Sequence, residues 1–148
     1  MVQFKRILCP VDFSEHSQAA LAQAADVARK FGAELTLLHV VEPILYPVAY
    51  GLPPVSPVDY ESVARESAAK ALERLAAGLT GLKPLTRIEA GAASQRISEL
   101  AKAEAFDLIV LATHGYTGLK HVLLGSTAER VVRLAPCAVL VVKVAPSR

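Results

Sequence analysis

Apolar residues along this chain of 148 residues fall into five short runs, which alternate with longer stretches that carry apolar positions at helical spacing. Four runs, at 4–11, 35–41, 107–111 and 138–142, are nearly continuous, as in strands buried on both faces. The run at 85–90 alternates polar and apolar residues, which is typical of an edge strand. Strands that alternate with helices pair in parallel through right-handed crossovers. The pattern predicts an α/β three-layer sandwich, Rossmann-like or flavodoxin-like, with a five-stranded parallel sheet of strand order 3-2-1-4-5.

Each of the four helical stretches is expected to begin at a serine, whose hydroxyl can accept a hydrogen bond from a free N–H group of the first turn. The first helix is expected to stop at Gly32, while the second carries Pro57 in its first turn and runs toward Gly78. In the fourth helix, Glu129 stands at the spacing of a capping box. The four serines are Ser14, Ser56, Ser94 and Ser126.

The segment 112–127 connects the fourth strand to the fourth helix and reads A-T-H-G-Y-T-G-L-K-H-V-L-L-G-S-T. Its glycines, Gly115, Gly118 and Gly125, let a ligand approach the backbone closely. Free N–H groups in such a loop, together with the positive end of the helix dipole at Ser126, attract anions. The segment therefore predicts a phosphate cradle. A tight turn without a ligand fits the glycines equally well, because glycine is also a common turn residue.

Ligands of parallel α/β sheets bind beyond the carboxyl ends of the strands, where the strand order reverses. In this chain those ends are Pro10, Val11 and Asp12 after the first strand, and residues 112–115 after the fourth. The carboxylate of Asp12 is suited to accept hydrogen bonds from ribose hydroxyls, and it is equally suited to cap a turn or a helix. Two features found separately in the sequence thus meet at one expected site.

The segment 42–57 holds five prolines and two tyrosines and is too long for an ordinary connection. It is either a flexible excursion or a lid. Because it follows the strand that ends beside the expected site, we hypothesise that it closes over a bound ligand.

The amino-acid composition of the chain limits the classes of protein to which it can belong. The chain is 53% hydrophobic and 20% charged, which indicates one folded domain over residues 1–148. A net charge of +2, from 16 basic and 14 acidic residues, is too balanced for a nucleic-acid surface. Because no apolar stretch is long enough to span a membrane and no signal peptide is evident, we expect a cytoplasmic protein without membrane contact. Cys9 and Cys137 are expected to be buried small hydrophobic residues rather than a disulfide.

The remaining polar residues do not form a recognised catalytic pattern. The sequence contains neither a P-loop motif nor a nucleophilic triad, so we assign no catalytic residue. Lys120 and His121 are expected to be solvated loop residues. No pair of histidines has zinc-site spacing, and any metal ion is expected to arrive with phosphates. The histidines are His16, His39, His114 and His121.

The chain resembles the universal stress protein family over essentially its full length. The resemblance is carried by I-L-C-P-V-D-F-S at 7–14, by L-L-H-V-V at 37–41, by T-H-G at 113–115 with G-S at 125–126, and by A-P-C-A-V-L-V-V at 135–142. Nucleotide-binding members of that family show Gly, two residues, Gly, nine residues, Gly and then Ser or Thr. Here Ala112 stands at the first glycine, and its methyl group would crowd the ribose. That departure bears on the tightness of binding more than on whether nucleotide binds.

The resemblance implies that Asp12 and the backbone of Val40 recognise ribose and adenine, and that Gly115, Gly125 and Ser126 bind the phosphates. On its own pattern, Val40 is a core residue. Thr113 and Thr127 are weaker candidates for the phosphate cradle. The full set of expected binding residues is Pro10, Val11, Asp12, Val40, Ala112, Thr113, His114, Gly115, Gly125, Ser126 and Thr127.

By the same resemblance we expect an ATP-binding regulator of the stress response, with Mg²⁺ or Mn²⁺ on the phosphates and at most slow ATP hydrolysis. We also expect a homodimer formed through the strand at 138–142, since so apolar a strand would promote aggregation if left open at a sheet edge. Two alternatives stay open. One is a nucleotide-free dimer that acts through protein partners, which Ala112 favours. The other is an electron-transfer protein that uses flavin or nucleotide, although the chain has no Trp and only Tyr116 in the glycine loop.

Overall fold

The structure, a computed structural model, describes residues 1–43, 57–113 and 124–144. In these ranges five strands alternate with four helices, as the hydrophobic pattern predicts. The strands are β1 (Arg6–Pro10), β2 (Glu34–Val41), β3 (Leu85–Ala90), β4 (Leu108–Ala112) and β5 (Ala138–Val142). The helices are α1 (Glu15–Phe31), α2 (Pro57–Ala77), α3 (Ala93–Ala103) and α4 (Ser126–Leu134).

All five strands pair in parallel in the order β3-β2-β1-β4-β5, which confirms the predicted topology and places β3 at an edge. The order reverses between β1 and β4, where Ile7 lies beside Leu108. The carboxylate of Asp107 fixes this register, because it accepts hydrogen bonds from the backbone N–H groups of Lys5, at 2.8 Å, and Arg6. The central strands are therefore aligned from their amino ends.

Alternate residues of the strands face two separate apolar layers. Ile7 and Cys9 of β1 point into a cluster that α1 and α2 cover, with Leu72 of α2 fully buried. Leu8 points to the opposite face, where α3 and α4 contribute residues such as Ile97. This division into two layers leaves only the edges and the strand ends of the sheet for polar groups.

The ends of α1 follow the sequence prediction. Ser14 is the N-cap, and its hydroxyl oxygen accepts a hydrogen bond from the N–H of Ser17 at 3.1 Å. Gly32 ends the helix in the left-handed conformation, with φ 63°, which glycine adopts without the clash that a Cβ would cause. Pro57 is the first residue of α2, as expected.

The predicted start of α3 at Ser94 is wrong. The helix begins at Ala93, and its N-cap, Ala92, has no side chain that can cap it. The carboxylate of Glu42, just beyond β2, instead accepts a hydrogen bond from the N–H of Ala93 at 3.2 Å. The cap thus comes from a residue distant in sequence, which local pattern cannot reveal.

The predicted capping box of α4 is also wrong. Gly125 is the N-cap and Ser126 is already the first helical residue, so Glu129 does not stand at the position that a capping box requires. The first helical hydrogen bond runs from the N–H of Glu129 to the carbonyl of Gly125 at 2.9 Å. The Glu129 carboxylate pairs with Arg133, one turn further along the helix.

The expectations for the cysteines, for the segment 42–57 and for membrane spans have different outcomes. Cys9 and Cys137 are both free thiols, as expected, but only Cys9 is fully buried, since Cys137 precedes β5 and is partly exposed. The predicted cap Ser56 lies outside the described ranges. So does most of the expected lid at 42–57, since residues 44–56 are not described. In the described part of the chain, no helix has both the length and the apolar character that crossing a membrane requires.

Thr36 of β2 is the basis of a stability prediction. It is 2% exposed, and its hydroxyl oxygen has no hydrogen-bond partner among the described residues. Replacing it with valine keeps the branched shape and removes an unsatisfied polar group, so we expect Thr36→Val to raise the unfolding free energy by about 1 kcal/mol in urea denaturation. Thr86→Val on the exposed surface of β3 is the matched control and should change it little. A Thr36→Val protein less stable than the native one would contradict this account.

Candidate functional site

The carboxyl ends of β1 and β4 and the start of α4 meet at one edge of the sheet. Thr113 follows β4, and its N–H donates to the carbonyl of Val142 in β5 at 3.1 Å. Its own carbonyl accepts a hydrogen bond from the N–H of Gly125 at 2.6 Å. The amino end of α4 is thereby fixed against the end of β4, although the residues from 114 to 123 separate them in sequence.

The first turn of α4 lies at this edge with N–H groups that have no intrahelical partner. The N-cap, Gly125, has no side chain to satisfy them, and no other described residue is recorded as their acceptor. Ser126 and Thr127 are exposed, so their hydroxyl groups are accessible beside these amides. Because the helix dipole adds positive potential at the same end, the arrangement is suited to an anion.

Gly125 does not need to be glycine for its own backbone conformation. Its φ of −65° and ψ of 158° are extended values that any L-residue can adopt. What a larger side chain would change is the space beside the first turn of α4. A substitution there therefore tests access to the helix end more directly than a residue held at positive φ would.

Asp12 uses one of its two carboxylate oxygens in the turn between β1 and α1. Its Oδ1 accepts hydrogen bonds from the N–H of Ser14, at 3.0 Å, and from the Ser14 hydroxyl. No hydrogen bond from the described residues reaches Oδ2. The turn interpretation of Asp12 is therefore correct, and it leaves one oxygen for a ligand hydroxyl.

Val11 and Val40 lie at the carboxyl ends of β1 and β2 and pack into different apolar clusters. Val11 is 3% exposed, and its N–H donates to the carbonyl of Leu38 in β2 at 2.7 Å. Val40, near the end of β2, is half-buried and packs against the second apolar cluster. Its side chain is thus part of the core, which leaves only its backbone for recognition. Pro10 ends β1 alongside Leu38.

On the β4 side, Ala112 is partly exposed and packs against the first apolar cluster, while Thr113 is 4% exposed. Because Thr113 is buried, its side chain is packed in the protein and is not exposed to a ligand. His114 and Gly115 lie outside the described residues, as do Tyr116, Gly118, Lys120 and His121. Nine of the eleven expected residues lie in the described ranges, at the carboxyl ends of β1, β2 and β4 and at the start of α4, namely Pro10, Val11, Asp12, Val40, Ala112, Thr113, Gly125, Ser126 and Thr127.

Phe13 and His39 also belong to this edge, and sequence reasoning did not assign them to it. Phe13 has a φ of 65°, a left-handed conformation that is uncommon for a bulky residue. Its ring packs on the imidazole of His39 with the centroids 4.7 Å apart. The Nδ1 atom of His39 lies 2.7 Å from the carbonyl oxygen of Val11. The position of His39 at a strand end was visible in the sequence, whereas the backbone conformation of Phe13 leaves no signal there.

Neither cysteine is suited to nucleophilic chemistry. Burial raises the pKa of Cys9 to about 12, so its thiol stays protonated at neutral pH. The pKa of Cys137 is also raised, first by burial and then by the negative charge of Asp107. Within residues 1–43, 57–113 and 124–144, no three side chains of His, Cys, Asp or Glu come together as a metal-binding group.

The sequence model of the universal stress protein family matches residues 3–143. Universal stress protein MJ0531 of Methanocaldococcus jannaschii is 37% identical to this chain over 143 residues, covering 95% of this chain and 82% of that protein. Universal stress protein A homolog 1 of Coxiella burnetii is 36% identical over 143 residues, covering 95% and 97% of the two chains.

Solved structures agree with this assignment. The structure of protein MJ0577 superposes with a TM-score of 0.85 at 31% identity, covering 99% of this chain and 100% of the other. A universal stress protein from Lactobacillus plantarum superposes at 0.78 with 32% identity, covering 96% and 99%. A universal stress protein solved in complex with cAMP superposes at 0.62 with 26% identity, covering 95% and 98%. By its match to the family model, by its sequence identity to these relatives and by its topology, the chain belongs to the universal stress protein family.

Proposed function

We propose that the protein binds an adenine nucleotide, ATP, at the carboxyl edge of the sheet. One observation carries the proposal: the hydrogen bond from Gly125 to Thr113 holds the uncapped start of α4 at the end of β4, next to β1 and Asp12. A phosphate anion and a ribose hydroxyl could thus be bound at the same edge. The related universal stress protein solved with cAMP supports an adenine nucleotide as the ligand class.

The described residues have distinct roles in this proposal. The backbone of Val40 would recognise the adenine edge, since its side chain is packed in the core. Oδ2 of Asp12 would accept from a ribose hydroxyl, because Oδ1 is held by Ser14. The N–H groups of Ser126 and Thr127, with their hydroxyl groups, would bind phosphate oxygens, because the N–H of Gly125 is already donated to Thr113. His114 and Gly115 would complete the cradle.

A divalent cation, Mg²⁺ or Mn²⁺, is proposed to arrive with the nucleotide and to be held chiefly by phosphate oxygens. We assign no catalytic residue at this edge and propose binding rather than turnover as the activity. Bound nucleotide would then shift a conformational or oligomeric equilibrium, through which the protein regulates a stress response in the cytoplasm.

We also propose a two-fold homodimer through β5. Leu140 of this edge strand is 38% exposed, and Val144 just beyond it is 36% exposed. The opposite edge strand is better protected, because Arg65 of α2 donates to the carbonyl of Ile88 in β3 at 3.3 Å. No described side chain makes a corresponding hydrogen bond to the backbone of β5, and an apolar edge strand of this kind is suited to pair with a second copy.

A nucleotide-free interaction protein is the second candidate function. The observation that favours it is Ala112, whose methyl group stands at the end of β4 where the nucleotide-binding pattern implied by the family resemblance has glycine. The two candidates differ in one property that can be measured directly, which is the affinity for ATP.

Substitution at Gly125 tests the phosphate site. Because the backbone at 125 is extended, Gly125→Val should leave the protein folded, with a loss of about 1 kcal/mol from a poorer N-cap. Its branched side chain would stand beside the amides that bind phosphate, so we expect calorimetric titration to show at least about tenfold weaker ATP binding. Ser126→Ala should be milder, at about threefold, because it removes one hydrogen bond.

A control variant and a second test variant accompany this experiment. Gly78→Val places the same change after α2, away from the site and with ordinary contacts, and should bind ATP as the native protein does. Ala112→Gly should tighten binding if the methyl group crowds the ribose. Native affinity in a folded Gly125→Val protein would rule out the start of α4 as the phosphate site.

Substitution at Leu140 tests the dimer. Light scattering should give twice the 15.7 kDa chain mass for the native protein at micromolar concentration. Leu140→Glu would place like charges near each other at a β5–β5 contact and should produce monomers. Leu85→Glu makes the same change at the exposed start of β3 and should leave the dimer intact. A native monomer, or equal dissociation in both variants, would refute the β5 interface.

A further inference from the structure

The backbone of Val11 is held at both of its polar groups by consecutive residues of β2. Its N–H donates to the carbonyl of Leu38 at 2.7 Å, and its carbonyl lies 2.7 Å from Nδ1 of His39. A carbonyl oxygen can only accept, so Nδ1 of His39 carries the proton and donates. We refer to these two hydrogen bonds on Val11 as the Val11 clamp.

The clamp stands directly before a strained turn. Phe13 is held at φ 65°, a conformation that is unfavourable for a bulky residue and persists only where the surroundings enforce it. Asp12 secures the turn on the α1 side through Ser14. On the β2 side, the imidazole of His39 packs against the Phe13 ring at 4.7 Å while donating to Val11. The turn is thus enforced from both sides.

We propose that His39 is a positioning residue of the site: through the Val11 clamp it holds the turn that carries Asp12 in register with Val40. His39 directly precedes Val40 in β2, so the clamp makes the ribose-binding carboxylate and the adenine-binding backbone parts of one rigid unit. This inference rests on the nucleotide-binding function proposed above, but its structural part can be tested without a ligand.

The hydrogen bond to Val11 is the main component of the clamp. Val11 is buried, so little water could replace a lost donor at its carbonyl. A buried carbonyl without a donor is unfavourable, and the backbone of the turn would shift to find another partner. The contact between the rings of His39 and Phe13 packs the two side chains together, but it makes no hydrogen bond to Val11.

Two variants separate the hydrogen bond from the ring contact. His39→Phe keeps an aromatic ring against Phe13 and removes the donor. His39→Asn removes the ring and retains an N–H donor at the distance of Nδ1 from the backbone. The proposal predicts that the asparagine variant stays close to the native protein in both measurements below, and that the phenylalanine variant does not.

The first measurement uses the free protein. Amide hydrogen exchange at Ser14, whose N–H donates to Asp12, should be about tenfold faster in His39→Phe and near the native rate in His39→Asn. The N–H of Ala33, which donates to Ala28 at the far end of α1, should exchange at the native rate in both variants and so excludes general destabilisation. Unchanged exchange at Ser14 in His39→Phe, or equal acceleration in both variants, would overturn the proposal.

The second measurement is ATP affinity by calorimetry. His39→Phe should weaken binding by about five- to tenfold, whereas in an Asp12→Ala background it should have no further effect, because His39 acts through the turn that carries Asp12. Additive losses would show that His39 acts independently and would overturn the proposal. If the native protein binds no ATP, the proposed function fails, and hydrogen exchange at Ser14 still decides whether His39 holds the turn.

Discussion

Burial of a parallel sheet under helices on both faces is the constraint on which the rest of this structure depends. Ile7 and Leu8 illustrate it, because adjacent residues of β1 are fully buried in opposite apolar layers. With both faces closed, polar groups that must meet a ligand can lie only at strand ends. Reversal of the strand order between β1 and β4 then separates the helices that follow these strands and leaves a crevice at their carboxyl ends.

The chemistry of that crevice comes mainly from backbone groups that are held in place. At the start of α4 no described side chain caps the first N–H groups, and the hydrogen bond from Gly125 to Thr113 keeps this helix end at the edge of the sheet. Asp12 contributes a carboxylate with one oxygen engaged in a turn and the other not engaged by described residues. Phe13, whose backbone is strained, lies in the same turn. Strained backbone conformations are commonly found at functional sites. These described groups are of the kind that hold a ligand in place, which is why we propose binding as the function.

The fold was largely predictable from sequence because it depends on hydrophobic periodicity and on local turn chemistry. Ser14 and Gly32, which bound α1, each have a side chain or backbone property that acts within one helical turn. The errors at α3 and α4 have the opposite origin. Glu42, which follows β2, caps α3. Gly125, whose N–H donates to Thr113 at the end of β4, takes the N-cap position of α4 one residue before the expected serine.

In the candidate site, too, features set by local sequence were predictable and features set by contacts between distant residues were not. The positions of the strand ends and of the start of α4 were predictable, because hydrophobic runs and the glycine pattern mark them in the sequence. The contribution of His39 was not, since it depends on a hydrogen bond to a backbone carbonyl on the neighbouring strand. Which oxygen of Asp12 is engaged was likewise not predictable, because it depends on the conformation of the turn rather than on residue type.

Nuclear magnetic resonance mapping of ATP binding would test the central claim most directly. The account predicts that ATP shifts the backbone amide signals of residues 125–127, of Asp12 and of Val40. It also predicts that the amides of Lys5 and Arg6, which bind Asp107 at the opposite edge of the sheet, do not move. An ATP titration that left the signals at the carboxyl edge unchanged, or that shifted those at the amino edge instead, would contradict the account.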